Sequence, residues 1–482
     1  MSLNYNFIWL LCYLLVLVGL AGYGFHRLSI VYLYWKNRNN KPQPKARFQE
    51  LPVVTVQLPM FNEKFVVDRL LESVAALDYP QDKLEIQILD DSTDDTTEQC
   101  YRKVEELKSR GFDAVCIHRT DRTGFKAGAL EAATKVAKGE FLLILDADFV
   151  PEPDLLQKTI HFFTDENVGL VQTRWGHINR EYNLLTRIQG MYLDGHFAME
   201  QTARNRSGRF FTFNGTAGIW RKCVIGDAGG WSHDTLTEDM DLSYRVQLRG
   251  WRFIYLNDVV TPAELPVDMD GFKSQQHRWT KGSIQVCQKI LLDIWRSNAP
   301  LKAKVEATTH LTCNYSYLLL ALLCFLVYPI CTQRIPENET VFMWFVNVAL
   351  FFMTSVAVCI FYMSAQIVVR PKSWWKELPY LPLLLTLSVG MAVNNAKAVL
   401  EAIFGHQSAF VRTPKYGVDR KEDRRHVSQL KRNGYRAIKS VVIPVLEIAC
   451  GTFFLNLIII MIRQGHYLSP ILMIPFLGFY YT

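Results

Sequence analysis

Apolar and polar positions divide the chain into two regimes. Residues 8–22 (IWLLCYLLVLVGLAG) and 341–369 carry no charge, 311–331 and 441–462 are long apolar runs, and 468–482 is a shorter one. Runs of this length predict membrane-spanning helices, the last of them marginal. Between 51 and about 267 no window is long and apolar enough to span, which predicts one separate domain of ordinary enzyme size.

The charges orient these runs. Arg27, Lys36, Arg38, Lys41, Lys45 and Arg47 follow the first run with no acid between them, so that flank is expected to be cytoplasmic and the N-terminus outside. A signal peptide is the alternative, but no basic residue precedes the run and no small-residue cleavage site follows it. The stretch 379–404 is hydrophobic enough to span, yet Asn394, Asn395, Lys397 and Glu401 fill its second half. Crossing there would put 405–440, with ten Lys/Arg against three Asp/Glu, on the outside. An interfacial or re-entrant segment is therefore expected. Glu447 falls inside an apolar run, where it would either line a channel or bond to a neighbouring helix.

Composition agrees with this division. The chain has 482 residues, 49% hydrophobic and 21% charged, and a mean hydropathy of +0.04. That is too apolar for a soluble enzyme and too polar for a bare membrane bundle. The ten cysteines are scattered without a CxxC pair, so neither a disulfide framework nor a zinc site is signalled. The net charge of +7 gathers at the membrane flanks, and no nucleic-acid recognition module accompanies it.

Inside the polar region, apolar runs at 53–58, 84–89, 114–118, 141–145 and 168–172 read as strands. Helical patterns at 64–77, 94–110 and 126–138 separate the first four. This alternation predicts a mostly parallel sheet whose ligand lies beyond the carboxyl ends of the strands. Three of those ends are acidic: Asn62-Glu63, Asp90-Asp91-Ser92 and Asp146-Ala-Asp148. No GxGxxG or GxxxxGK[ST] follows the first strand, which excludes the dinucleotide and P-loop readings. An acidic edge accepts phosphates only through a divalent cation, and Asp-x-Asp suits Mg²⁺ or Mn²⁺. Downstream, Thr237-Glu238-Asp239 opens a helix-like stretch and reads equally as an N-cap. Gln275-Gln-His-Arg278-Trp279 precedes an amphipathic stretch, where Arg and Trp also serve as interfacial anchors.

These residues in this order resemble a membrane-integrated family 2 glycosyltransferase. The motifs are Asp-Asp-Ser (90–92), Asp-x-Asp (146–148), Thr-Glu-Asp (237–239) and Gln-x-x-Arg-Trp (275–279). The last is typical of processive members such as cellulose, hyaluronan and curdlan synthases. Gln57–Glu63, Lys126–Leu130, Asn214–Gly218 and Thr237–Asp241 look most like the plant cellulose synthase-like A glucomannan synthases and their bacterial relatives. Phe410-Val-Arg-Thr413-Pro-Lys415 resembles the cellulose synthase gating loop FxVTxK, with Arg412 where that pattern has Val.

The resemblance implies an α/β GT-A (Rossmann-like) cytoplasmic catalytic domain, with an α-helical transmembrane bundle and interfacial helices. The expected divisions are a membrane helix in 1–35, the catalytic domain in 50–270 and amphipathic interfacial helices in 271–309. Two membrane helices follow in 310–370, then the interfacial or re-entrant 379–404, the gating-like loop 405–440 and two membrane helices in 441–482.

The implied roles make chemical sense. Asn62, Glu63, Asp90, Asp91, Lys126, Asp146, Gln275 and Arg278 would bind the nucleotide sugar. Asp146 and Asp148 would hold the metal. Asp239 would be the general base, with Glu238 its adjacent competitor. Trp279, Asn214, Gly215 and Thr216 would meet the acceptor, and Phe410, Thr413 and Lys415 would gate. The sequons at Asn205 and Asn214 fall in the cytoplasmic domain and carry no weight.

The implied function is an inverting, processive hexosyltransferase that polymerises UDP-glucose or GDP-mannose into a linear β-glycan and threads it through its own spans in a plasma or Golgi-type membrane. A growing glycan and the lipid bilayer are its partners. A homo-oligomer and accessory export subunits stay open. The main alternative is single transfer to a lipid such as ceramide or diacylglycerol, and a dead scaffold subunit is a second.

Overall fold

The computed structural model describes residues 5–332, 349–350, 352–406, 412–419, 421–423, 427–430, 442–465 and 473–482. Most of the loop expected between the 311–331 and 341–369 runs, the start of the latter run, and Phe410 lie outside these residues.

Seven strands form one sheet: β1 (Val54–Met60), β2 (Leu84–Asp90), β3 (Asp113–His118), β4 (Phe141–Ile144), β5 (Val168–His177), β6 (Gly218–Arg221) and β7 (Arg252–Ala263). Their order is β3-β2-β1-β4-β6-β5-β7. β1 pairs in parallel with β2 and β4, and β2 with β3, while β6 runs antiparallel between β4 and β5. β1, β2 and β4 are buried almost throughout. β4 is apolar at every position, whereas β1 and β2 alternate, and their buried polar side chains pair across the two strands: Thr55 Oγ1 donates to Glu85 Oε2 at 2.6 Å and Gln57 Nε2 to Gln87 Oε1 at 3.1 Å. One apolar core forms around Val56, Ile86 and Leu143, and a second around Leu142, Trp220 and Phe253. The architecture is thus the expected α/β one. The sequence did not single out β6 and β7. β6 has only four residues, and β7 shifts register opposite Thr173/Arg174, which breaks any clean alternation.

Three further segments position the site. The helix Leu184–Asp194, capped by Asn183 in a reciprocal bond with Thr186, runs on through the π-helical Gly195–Gln201 into Thr202–Arg206. The helix Glu238–Leu248 starts at Thr237, but the Thr237 side chain makes no capping bond. Its hydroxyl packs against Gly282 instead, so the simple capping expectation for Thr237 does not hold. The 28-residue helix Met269–Arg296 is capped by Asp268, whose Oδ1 accepts from Gly271 N at 2.8 Å.

Among the described residues, three helices, Ile8–Asn37, Phe352–Val369 and Val442–Arg463, are long and apolar enough to cross a membrane. Two bent pairs bring the number to as many as five. One pair is Trp374–Gly390 with Ala392–Ile403, bent by 40°. Its polar second half faces the helix Met269–Arg296: Glu401 Oε2 accepts from Lys281 Nζ at 3.0 Å and lies 3.2 Å from His277 Nε2. Asn394 Nδ2 donates to Lys273 O at 3.1 Å. Polar residues sit in this apolar stretch because they bond to another helix. Glu447 follows the same logic. Its Oε2 lies 2.5 Å from Lys273 Nζ, and it is not on the wall of the large cavity described below. The structure therefore gives it the interhelical partner and not the channel role. The described part of the expected last span, Ile474–Tyr480, is a 3-10 turn packed on Leu381–Gly390 and Val442–Arg463.

Candidate active site

The carboxyl ends of β1, β2 and β4 open into a cavity of about 190 Å³. Glu63, Asp91, Lys126, Asp146 and Asp148 line it from the sheet side, and Glu238, Asp239, Gln275, Arg278 and Trp279 from two helices. Gln275, Arg278 and Trp279 share one face of the helix Met269–Arg296 because they stand three and four positions apart.

Cations answer the carboxylates. Lys126 Nζ pairs with Asp146 and donates to Gly215 O at 2.9 Å. Lys415 Nζ lies 2.6 Å from Asp148 Oδ2. Arg119 grips Asp91 at both oxygens, 2.8 and 2.6 Å away, the planar fork that suits a carboxylate. Burial drives Glu63 up to about 7, against the pull of Arg412. Asp239 rises to about 7 as well, first through burial and then through the charge of Glu238 beside it. A carboxyl that changes state near neutrality can take and release a proton at working pH.

The turn 214–217 lies against Asp239. Gly215 has φ +78°, and a Cβ there would sit 3.3 Å from Asp239 Oδ2. Only glycine adopts that backbone freely and leaves room for the carboxylate. Asn214 and Gly215 line the cavity. Thr216 does not: it is buried, and its hydroxyl accepts from Asp146 N at 2.8 Å, so it shapes the Asp146–Asp148 turn from behind.

Two other expected binding residues are also spent elsewhere. Asp90 is fully buried, with Oδ2 2.7 Å from both Thr97 Oγ1 and His118 Nδ1, and Oδ1 accepting from Ser92 N. Asn62, at φ +54°, ties the loop after β1 to the loop after β2 through Ser92 and Thr93. Neither is on the cavity wall. Both brace it: Asp90, the last residue of β2, turns its carboxylate to Thr97 and His118 while Asp91 lines the cavity, and Asn62 ties the two loops together.

Residues 412–419 close one side of the cavity with Arg412, Thr413 and Lys415. They are held by a residue the sequence did not flag. Glu264, at the end of β7, accepts from the backbone N–H groups of Tyr416, Gly417 and Val418 at 2.9, 3.0 and 3.1 Å. Arg69 bridges Glu264 and Asp419. A Cβ on Gly417 would lie 2.7 Å from Phe65 O, so the chain comes this close only because that residue is glycine. Arg119, which holds Asp91, and Glu264, which holds residues 416–418, are positions that the motifs missed. Each lies in sequence far from the motif residue it serves, and no spacing announces it.

Beyond Asp239 and Trp279 lies a second cavity of about 1000 Å³, running between the apolar helices. Trp175, Leu193, Asn214, Thr237, Asp239 and Trp279 line both cavities and form their junction. Trp175 stacks on Phe197 with centroids 4.6 Å apart and meets Trp279 edge-on at 6.5 Å. The junction thus combines a titratable carboxyl with aromatic faces, the surfaces that apolar C–H faces of sugars prefer.

Known proteins resemble this chain. Residues 52–282 match the model of glycosyltransferase-like family 2, and residues 218–464 match that of cellulose synthase. Glucomannan 4-beta-mannosyltransferase 2 of Arabidopsis thaliana is 42% identical over 286 residues, 56% of this chain and 53% of that protein. Glucomannan 4-beta-mannosyltransferase 1 of Oryza sativa subsp. japonica is 40% identical over 277 residues, with the same coverage. The chain thus spans about half the length of the curated relatives it matches. The solved mannosyltransferase PcManGT of Pyrobaculum calidifontis, in complex with GDP-Man and Mn²⁺, superposes with a TM-score of 0.58 at 20% identity, over 82% of this chain and 100% of that one. At that identity it speaks for the fold alone.

Proposed function

The chain belongs to the cellulose synthase family, and on that premise we propose that it is an inverting, processive hexosyltransferase that builds a β-linked glycan. The observation that carries this reading is the place of Asp239. It lines both the acidic, cation-balanced cavity and the long cavity between the apolar helices. A donor in the first and a glycan end in the second would meet at its carboxylate.

The chemistry follows from the side chains. Asp239 takes the proton of the acceptor hydroxyl as that oxygen attacks the anomeric carbon. The bond from the anomeric carbon to phosphate breaks, and the nucleoside diphosphate leaves from the opposite face, inverting an α-linked donor to a β-linked product. Lys126, Gln275 and Arg278 bind the diphosphate, and Asp91, held by Arg119, faces the nucleoside. Trp279 stacks on the terminal acceptor sugar.

Asp146 and Asp148 fit a divalent cation. They are hard oxygen donors, each paired here with a lysine, Lys126 and Lys415, whose charge a cation would replace, and since no group of three or more His, Cys, Asp or Glu gathers among the described residues, such an ion would need substrate oxygens as well. Two carboxylates with substrate phosphates are the ligand set that Mg²⁺ or Mn²⁺ accepts. Such an ion supplies charge neutralisation on the departing diphosphate.

The names of the plant relatives favour mannose and a 1,4-linkage over the alternatives, and of the two candidate donors GDP-mannose is the one that carries that sugar. The polymer is proposed to leave through the larger cavity, with the α/β domain on the cytoplasmic side where sugar nucleotides are made. The test is radiolabelled GDP-mannose and UDP-glucose, supplied separately with Mn²⁺ or Mg²⁺ to the purified protein in vesicles. A long product from GDP-mannose, cut by a β-1,4-mannanase, is expected. One sugar on an organic-extractable lipid would replace this reading with single-transfer glycolipid synthesis.

A further inference from the structure

A buried polar chain leads from the first membrane helix to the turn beside Asp239. Arg27, on the helix Tyr5–Asn37, pairs with Glu200. Glu200 Oε2 lies 3.0 Å from His196 Nδ1, and His196 Nε2 lies 3.1 Å from Asn214 Nδ2. Gln201 Nε2 donates to Asn214 Oδ1 at 2.7 Å. Arg204 joins Glu200 at 3.2 Å and Glu306 at 3.0 Å, and His26 lies 3.0 Å from Glu306. Arg27, His196, Glu200 and Asn214 all reach the wall of the larger cavity, just past the junction.

We propose that Arg27, Glu200 and His196 are positioning residues for the acceptor turn 214–217, so that the N-terminal membrane helix completes the acceptor site and is not merely an anchor. The proposal rests on the reading of Asp239 and that turn given above.

The direction of the hydrogen bonds supports it. Asn214 Oδ1 accepts from Gln201, so its Nδ2 must donate to His196 Nε2. The His196 proton then sits on Nδ1 and points at Glu200. This tautomer is required by the network and fixes a neutral imidazole. Burial, with Arg204 and Arg27 nearby, pushes His196 down to about 3, so the ring keeps this form through the neutral range and does not compete with Asp239 as a base. Asn214 is therefore gripped at both ends of its amide. The next residue, Gly215, is where an added Cβ would come within 3.3 Å of Asp239 Oδ2, so this turn forms the wall beside that carboxylate. Turning the amide would turn the wall that Asp239 faces.

The local fold serves the same end. His196, Glu200 and Gln201 lie on the π-helical stretch Gly195–Gln201. Its i→i+5 turn brings positions four and five apart to one side, and such turns cluster at functional sites. Arg204, Glu200 and Glu306 are buried here and Arg27 partly so, at a desolvation cost that an apolar set of the same volume would avoid. Stability alone does not call for them, whereas orienting an amide does.

The test uses the full chain in detergent with its active sugar nucleotide, the variants Arg27→Leu, Arg27→Lys, His196→Ala and His196→Gln, and melting temperature as a check on folding. Three quantities are read: nucleoside diphosphate affinity, donor hydrolysis to water, and transfer to an added oligosaccharide. Arg27→Leu and His196→Ala are expected to raise the oligosaccharide KM and lower its kcat/KM by about tenfold to a hundredfold, with nucleotide affinity and hydrolysis nearly unchanged. His196→Gln, whose amide can replace both hydrogen bonds, should recover most of the loss. If Arg27→Leu does not fold, Arg27→Lys reads the same split, because it keeps the charge and loses the fork. A folded His196→Ala with unaltered oligosaccharide kinetics, or parallel losses of nucleotide affinity and transfer, overturns the proposal. Failure of the unaltered chain to use any saccharide acceptor instead sinks the functional reading, and this proposal with it.

Discussion

Lys415 Nζ lies 2.6 Å from Asp148 Oδ2, although 267 positions separate the two residues in the chain. The contact joins the loop that follows the bent helix pair to the acidic turn at the end of β4. What holds it is Glu264, whose carboxylate gathers three successive backbone N–H groups just beyond Lys415. Glu264→Ala should leave those backbone donors without their partner and Arg69 with Asp419 alone, at a cost of about 3 kcal/mol. Faster hydrogen exchange at 412–419 and a raised donor KM are the expected readings. Unchanged exchange there would remove Glu264 from this role.

Asp239→Asn keeps the shape of the site and removes the proton acceptor. Transfer should fall by about a hundredfold to ten-thousandfold, while nucleoside diphosphate still binds. Calorimetric binding beside a transfer assay separates these effects, and a variant that transfers normally would disqualify Asp239 as the base.

The raised carboxyls set the pH response. Asp239 titrates at about 7 in the folded chain against an ordinary 3.8, so the base is charged only above that point. Transfer kcat/KM should climb as pH passes about 7 and then level. Stability moves the other way. Between 3.8 and about 7 the unfolded chain loses this proton while the folded chain keeps it, so the group's contribution declines as pH rises through that window. Glu63, also at about 7, adds in the same direction. Melting curves of the unaltered chain and Asp239→Asn across pH 4 to 8 should converge at the acid end.

Gly215→Ala tests the close approach at the acceptor turn. A side chain at φ +78° strains the backbone by about 1–2 kcal/mol and places a methyl group against the Asp239 carboxylate. Transfer should suffer more than donor binding, measured as separate KM values for donor and acceptor.

The Lys273–Glu447 pair tests the interhelical role of Glu447. Removing the carboxylate alone, as in Glu447→Ala, leaves a buried lysine with no counter-charge and only the Thr482 carbonyl to donate to, and should cost about 3 kcal/mol. Replacing both by apolar residues of similar size, Lys273→Met with Glu447→Leu, should restore most of the stability. Product length in the double variant should match that of the unaltered chain, whereas a shortened product would return Glu447 to the channel.

The sequence by itself determined the membrane-spanning runs, the alternating strands and helices, and the acidic strand ends. Apolar length and period are local properties, and the buried strands carry apolar residues at most positions, with Thr55, Gln57, Glu85 and Gln87 bonded to one another across β1 and β2. It also determined Asp239, Arg278 and Trp279 as candidates, because their motifs are short and contiguous. Only the tertiary structure decided which of two adjacent acids faces the cavity, since Asp90 and Asp91 differ by one position and by the side of the sheet edge on which each falls. It also decided the partners of Asp148, Glu447 and Asn214. Lys415, Lys273 and His196 reach them across long stretches of chain, and a buried charge or amide is satisfied by whichever group folding brings within hydrogen-bond distance. No spacing in the sequence records that choice.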